Sequence, residues 1–227
     1  MKSRTKIRVA VLPWLLTAPF WANANQPHVS SEPSIYLDGA ETHAVSVRKA
    51  ETRRIIFVDE RVPNPQALLG DWTNRAEVVV IGYQDNGLRR IADVTRGQRE
   101  LQAIHIIAHG QPGALAIGRH SLDLATIGRH RGMLSEIGAS LADGGDLLLY
   151  GCDLGRGQPG RAFASALAEA TQVDVAVSSN ATGSSAQGGD WSLEVRTGPI
   201  ESPVIEQPAD AWPFLLATTD LIGAGSW

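Results

Sequence analysis

Five short apolar runs, separated by stretches of helical length or spacing, constrain this chain most. They are Arg54–Asp59 (RIIFVD), Glu77–Tyr83 (EVVVIGY), Ala103–Ala108 (AIHIIA), Asp146–Tyr150 (DLLLY) and Val173–Ser178 (VDVAVS). Each has the length and β-branched content of a strand, and their continuous apolarity marks strands buried on both faces. Helical spacing predicts helices over Asn64–Trp72, Leu88–Leu101, Met133–Ala142 and Arg161–Ala170. Asn86-Gly87 reads as a turn, and Gly144-Gly145 as the stop of the third helix. Ala114–Leu124 alternates weakly around Gly118, as a small hairpin does, and Trp191–Arg196 reads as an edge strand or hairpin arm. The expected fold class is α/β: a three-layer sandwich, its mostly parallel sheet covered by helices on both faces, with small hairpins.

Ligands of such sheets sit beyond the carboxyl ends of the strands. The residues there are Asp59-Glu60, Tyr83-Gln84-Asp85, His109-Gly110, Gly151-Cys152-Asp153 and Ser179-Asn180. A thiol and an imidazole on one rim are the minimum for nucleophilic catalysis. The imidazole draws the proton off sulfur, or stabilises the thiolate as a cation, and later protonates a leaving amine. The backbone N–H groups of Gly110 and Cys152 are candidate donors to a developing oxyanion. Candidate pocket residues are Asp153, Ser178, Ser179 and Asn180, and an acidic wall of Asp153 and Asp190 would suit a basic substrate side chain. Cys152 and His109 equally fit a small buried hydrophobe and a hydrogen-bonded structural histidine.

Composition narrows the classes. With 43% apolar and 19% charged residues, the 227-residue chain is neither disordered, collagen-like nor a multi-span membrane protein. Its one cysteine excludes an internal disulfide framework and a cysteine-based zinc or iron–sulfur site. A net charge of −4 argues against a nucleic-acid partner. Lys2, Arg4, Lys6 and Arg8 precede an apolar run from Val9 to Ala22 and the small-residue pattern Ala22-Asn23-Ala24, which together read as a secretory signal peptide. The run is shorter than the roughly 20 residues that cross a bilayer, and Pro13 and Pro19 break it. Cleavage after Ala24 leaves 203 residues with a net charge of −8 and no membrane span. The expected organisation is a signal peptide over 1–24, a leader or linker over 25–52, an α/β domain over 53–215 and a tail over 216–227. Pro199 to Pro213 reads as a segment closing over the domain, and the last residues carry no obvious terminal cap, as at the front of a longer protein. The expected location is exported: extracellular, cell surface or periplasm.

The segments IHIIAHG (Ile104 to Gly110) and LLLYGCDLG (Leu147 to Gly155) place His109 and Cys152 43 residues apart, each after an apolar strand and beside a glycine. This arrangement resembles the caspase-like cysteine peptidases, the group of clostripain, gingipains, separase and caspases. With IIFVD, EVVVIGY, TQVDVAVSSNATG and GGDWSLE, the span from about Arg54 to Trp212 is similar to the caspase-like domain of unknown function at the front of very large secreted bacterial adhesins. EPSIYLDGA, from Glu32 to Ala40, looks like a degraded Leu-Glu-Pro-Arg leader, with Ser31 and Ser34 where that leader has Leu and Arg. The resemblance implies a caspase-like fold and puts His109 and Cys152 on the peptidase dyad.

Two other patterns carry less. Gly155-Arg156-Gly157-Gln158-Pro159-Gly160 matches G-x-G-x-x-G, but a dinucleotide site needs an acid after the next strand, where Ser178-Ser179-Asn180 stand. His105 and His109 have the spacing of helical zinc ligands, but the intervening Ile106-Ile107 favour a strand and the Glu between the two is missing. Trp72, Trp191 and Trp212 read as packing residues. No cofactor is required by this reading; calcium is possible but not indicated. Two functions remain: a secreted cysteine endopeptidase acting on a polypeptide substrate or its own precursor, and a non-catalytic N-terminal module of a surface adhesin.

Overall fold

The computed structural model describes residues 53–206 and 212–217, all within the compact unit Asp38–Trp227. The signal-peptide and leader readings, and the tail beyond Ala217, lie outside the described residues. Along the chain run β1 (Arg54–Asp59), α1 (Pro65–Leu69) with a 3-10 turn (Gly70–Asn74), β2 (Glu77–Ile81), α2 (Gly87–Thr95) and β3 (Leu101–Ile107). A small sheet follows, of β4 (Gly110–Gln111), β5 (Ala114–Ile117) and β6 (His120–Asp123). Then come α3 (Leu124–Arg129), α4 (Arg131–Gly138), β7 (Leu141–Tyr150), α5 (Gly157–Thr171), β8 (Asp174–Val177) and β9 (Val195–Arg196). The main sheet has the order β2-β1-β3-β7-β8-β9 and is parallel except for the edge pair β8/β9.

Side-chain alternation sorts each strand between two cores. Ile55 and Phe57, Ile104 and Ile106, Leu147 and Leu149, and Val175 and Val177 pack with residues of α2, α4 and α5. Ile56 and Val58, Ala103 and Ile107, Leu148, Tyr150 and Cys152, and Ala176 pack with Leu68, Leu69, Trp72, Leu193, Ile205, Trp212 and Leu216. The first face carries the longer helices. The second carries α1, the 3-10 turn and irregular segments that return late in the chain. Those segments are tied down by buried polar groups. The Asp146 carboxylate accepts from Glu201 N and Ser202 N at 3.1 and 2.7 Å, and the Tyr150 hydroxyl accepts from Ile205 N at 2.8 Å.

Local readings shift at three places. Asn86 caps α2, its side chain accepting from Arg89 N, so Asn86-Gly87 is a helix start. That helix ends at Thr95, and Leu101 already belongs to β3. Gly144-Gly145 does not stop a helix. α4 ends at Gly138, the buried Ser140 hydroxyl donates to Ile137 O, and β7 begins at Leu141. Leu101 pairs with Leu141 and Ala103 with Asp146, so the residues between bulge out of the strand, with Gly144 at φ 74°.

The G-x-G-x-x-G segment has a packing role. A Cβ on Gly160 would lie 2.1 Å from the carbonyl carbon of Gly155, so the first turn of α5 sits directly on the loop after Cys152. Helix propensity alone favours alanine over glycine here by about 1 kcal/mol. The contact reverses the sign: Gly160→Ala is expected to destabilise by about 1–3 kcal/mol in chemical unfolding, as overpacking does.

His105 is fully buried in a row of rings: Trp72, His105, Tyr150, Trp191, Trp212 and Phe214 follow one another at 5.3–6.0 Å between centroids. The Tyr150 hydroxyl, having accepted from Ile205 N, faces His105 Nδ1 at 3.3 Å and can donate to it, which keeps the ring neutral. Burial, helped by the positive charge of Arg54, lowers the His105 pKa to about 3. The unfolded chain takes up this proton near pH 6.5. The stabilising contribution is therefore complete above about pH 6.5 and is lost as pH falls towards 3. Urea unfolding between pH 7.5 and 4 is expected to show a smaller loss of stability in His105→Phe than in the parent chain. Equal losses would refute this assignment.

Candidate functional site

β3 and β7 are adjacent and parallel, with Ile107 opposite Tyr150. Pairing continues past both strands, since Ala108 N donates to Tyr150 O at 3.1 Å. His109-Gly110 and Gly151-Cys152 therefore leave the sheet side by side. A Cβ on Gly110 would stand 2.7 Å from Gly151 C and 2.8 Å from Cys152 O, so only glycine allows the two backbones to approach this closely. The neighbouring strand ends join them: Arg61 from the turn after β1, and Thr182 from the loop after β8.

The backbone donors converge on a single atom. Gly110 N donates to Leu216 O at 3.0 Å, and Cys152 N donates to the same oxygen at 3.3 Å. Leu216 belongs to an extended segment, Trp212–Ala217, that lies along the loop after β8. Leu216 N donates to Thr182 O at 2.9 Å and Ser184 N donates to Phe214 O at 2.8 Å, with an antiparallel bridge between Gly183 and Leu215. On the far side of Leu216, Ala217 bridges Gly110 in parallel.

The imidazole and the sulfur are both buried and meet different backbone groups. His109 Nδ1 lies 2.9 Å from Ala217 O, and its Nε2 lies 3.3 Å from Arg61 O. Both partners are carbonyl oxygens, so a neutral ring can donate to one of them only. The Cys152 sulfur accepts from Thr182 N at 3.2 Å and faces Thr182 O at 3.5 Å. Arg61 is itself held. The buried Asp59 carboxylate accepts from Arg61 Nε and Nη2 at 2.6 and 2.8 Å and from Gly118 N at 2.7 Å, and Arg61 Nη2 donates to Gly118 O at 2.9 Å. This brace fixes the carbonyl that faces His109.

Asp153, Ser178, Ser179 and Asn180 interlock beside Cys152. Asp153 N donates to Asn180 O at 2.7 Å, and the Asp153 carboxylate pairs with Arg156 at 3.4 Å. The Ser178 hydroxyl donates to the Asn180 side chain at 3.0 Å, and Ser179 N donates to Glu194 at 2.7 Å. Asp190 accepts from Asn180 Nδ2 and from Ser192 N. The two acids considered as a wall for a basic side chain are thus engaged by their own neighbours, and the side chain held next to Cys152 is apolar. Leu216 is fully buried in the core that includes Tyr150, Ala176, Leu193, Ile205 and Trp212. A cavity of about 410 Å³ flanks the segment, lined by Gly183, Ser184, Asp190, Trp191, Ser192 and Trp212. Another, of about 680 Å³, lies at the amino ends of β7 and β8, away from His109 and Cys152.

Sequence reading names His109, Gly110 and Cys152, and the fold brings these three together. It leaves out Arg61, Thr182 and Leu216. Asp59 was visible at a strand end, and Arg61 two residues on carried no signal beyond its opposite charge. Thr182 contributes backbone atoms, which no residue type announces. The apolar Phe214-Leu215-Leu216-Ala217 after Pro213 was the available sign of an extended buried segment. Among the described residues no group of three or more His, Cys, Asp or Glu could hold a metal ion, and no helix is long and apolar enough to cross a membrane.

Comparison with curated proteins and with solved structures returns no match. A family model described as a domain of unknown function, DUF4347, matches residues 55–216. That span runs from β1 to Leu216 and includes Asp59, His109, Gly110, Cys152 and Thr182, and with most of its length covered the chain belongs to the DUF4347 family.

Proposed function

We propose that this protein is an exported cysteine endopeptidase of caspase-like type, with Cys152 as nucleophile and His109 as the acid that serves the leaving group. One observation carries the reading. Two backbone N–H groups, one next to the imidazole and one on the cysteine itself, donate to the same carbonyl oxygen. Paired donors aimed at one carbonyl polarise it and stabilise the charge that develops there when a nucleophile adds.

The chemistry follows from the positions. The thiolate of Cys152 adds to a carbonyl carbon whose oxygen is held by Gly110 N and Cys152 N. As the tetrahedral centre collapses, the C–N bond breaks and the nitrogen takes from the imidazolium the proton that the ring received from the Cys152 thiol, giving a thioester and a free amine. Water then adds to the thioester, and the carboxylate leaves as the thiol reforms. His109 bonds the carbonyl of the residue after Leu216, on the leaving side of such a bond, which favours proton delivery as its main part. Arg61, through its carbonyl, and Asp59, through Arg61, are positioning residues for the ring. Substrate would enter as an extended strand along 182–184, as Trp212–Ala217 does.

Assay of the full chain against a diverse peptide library is expected to show cleavage that Cys152→Ala abolishes and that His109→Ala slows by about 10²–10⁴-fold. A thiol-directed electrophile is expected to modify Cys152 in the folded protein. A library left uncut, with Cys152 reacting only in denaturant, would refute the peptidase and leave the non-catalytic adhesin module.

A further inference from the structure

We infer that the chain is its own substrate and that the scissile bond is Leu216–Ala217; this rests on the peptidase reading above. The segment Phe214–Ala217 is held as a substrate would be, by atoms on both sides of one peptide bond. The Leu216 carbonyl oxygen takes both paired donors, at 3.0 and 3.3 Å. Leu216 N donates to Thr182 O, and two residues upstream Phe214 O accepts from Ser184 N, so the residues before the bond are docked as an antiparallel strand. Ala217, the first residue after it, faces the imidazole through its carbonyl at 2.9 Å.

No other backbone carbonyl among the described residues accepts from both Gly110 N and Cys152 N. Leu216 also defines the side chain the site takes. It is fully buried in an apolar core with Tyr150, Cys152 and Ile205, whereas Phe214 is 38% exposed and Leu215 half-buried. The recognition element is therefore a branched aliphatic residue immediately before the bond, with little demand on the residue two positions earlier. A carboxylate or ammonium in that place would be buried without a partner, which is costly.

Cleavage consumes one water. The Leu216 C–N bond breaks, Ala217 N leaves as an amine with the proton from His109, and the transient Cys152 thioester is hydrolysed to the Leu216 carboxylate. Because nucleophile and bond lie on one chain, the reaction is intramolecular, and its rate does not depend on protein concentration.

The test is intact mass and end sequencing of the full chain, incubated over time at several concentrations, beside Cys152→Ala. The expected result is a new amino terminus at Ala217 and a new carboxyl terminus at Leu216, formed with first-order kinetics and absent from Cys152→Ala. In ¹⁸O-water the Leu216 carboxylate is expected to carry the label. Leu216→Asp is expected to slow the cut at least tenfold; Ala217→Pro, which turns the scissile bond into a tertiary amide without altering the buried leucine, is expected to block it. Peptides cut in a Cys152-dependent way while the chain stays whole, or is cut elsewhere, would overturn this inference and keep the peptidase. A cut at Leu216 that persists in Cys152→Ala, or whose rate rises with concentration, would also overturn it. A chain and a library both left uncut would overturn the peptidase reading itself.

Discussion

The site depends on the closeness of two backbones at the ends of β3 and β7. Parallel pairing brings His109-Gly110 beside Gly151-Cys152, and the absence of a side chain at Gly110 lets the strands stay together past their last regular pair. That closeness aims two N–H groups at one point. An N–H in a sheet normally serves its neighbour in the ladder. Here the ladder has ended, and the two donors meet the carbonyl of a third segment. Everything proposed about chemistry at this rim follows from that shared acceptor.

The second face of the sheet is what brings the third segment there. It lacks the long helices of the first face and is filled by a row of aromatic rings and by late, irregular stretches of chain. The row runs from Trp72 through His105 and Tyr150 to Trp212 and Phe214, so a packed path leads from the middle of the sheet to the residues next to Leu216. Trp212 is anchored at its polar end too, its indole N–H donating to Pro63 O at 2.6 Å. Buried Asp146 and Tyr150 fix residues 201–205 by backbone N–H groups. Such anchors act on backbone atoms and need no particular side chain on the segment they hold. The imidazole is supported in the same manner, through Arg61 O, with the pairing of Arg61 to buried Asp59 fixing the turn.

Much of this was legible in the linear chain. Five short apolar runs set the parallel sheet, because burial on both faces demands apolar residues; β2, at the sheet edge, departs from this, with Val80 51% exposed. His109 and Cys152 each follow such a run, and strand ends in a parallel sheet share a rim, so their proximity could be read before any coordinates. The small hairpin around Gly118 was equally plain. The misreadings came where one residue type serves two ends. Gly144-Gly145 looks like a helix stop, but glycine also permits a bulge, and pairing to Leu101 decided between them.

The sequence by itself determined the layers, the two faces of each strand and the chemistry on offer at one rim, since these follow from side-chain periodicity and from residue type. Only the tertiary structure decided which carbonyl the paired donors would hold, which atoms would face the imidazole, and that a leucine rather than a basic residue would be buried in the core that holds Cys152. The physical reason is that these contacts are made by backbone atoms of segments distant in sequence. A main-chain N–H or C=O is the same at nearly every position, so its partner is chosen by the folded path of the chain and not by the residue that bears it.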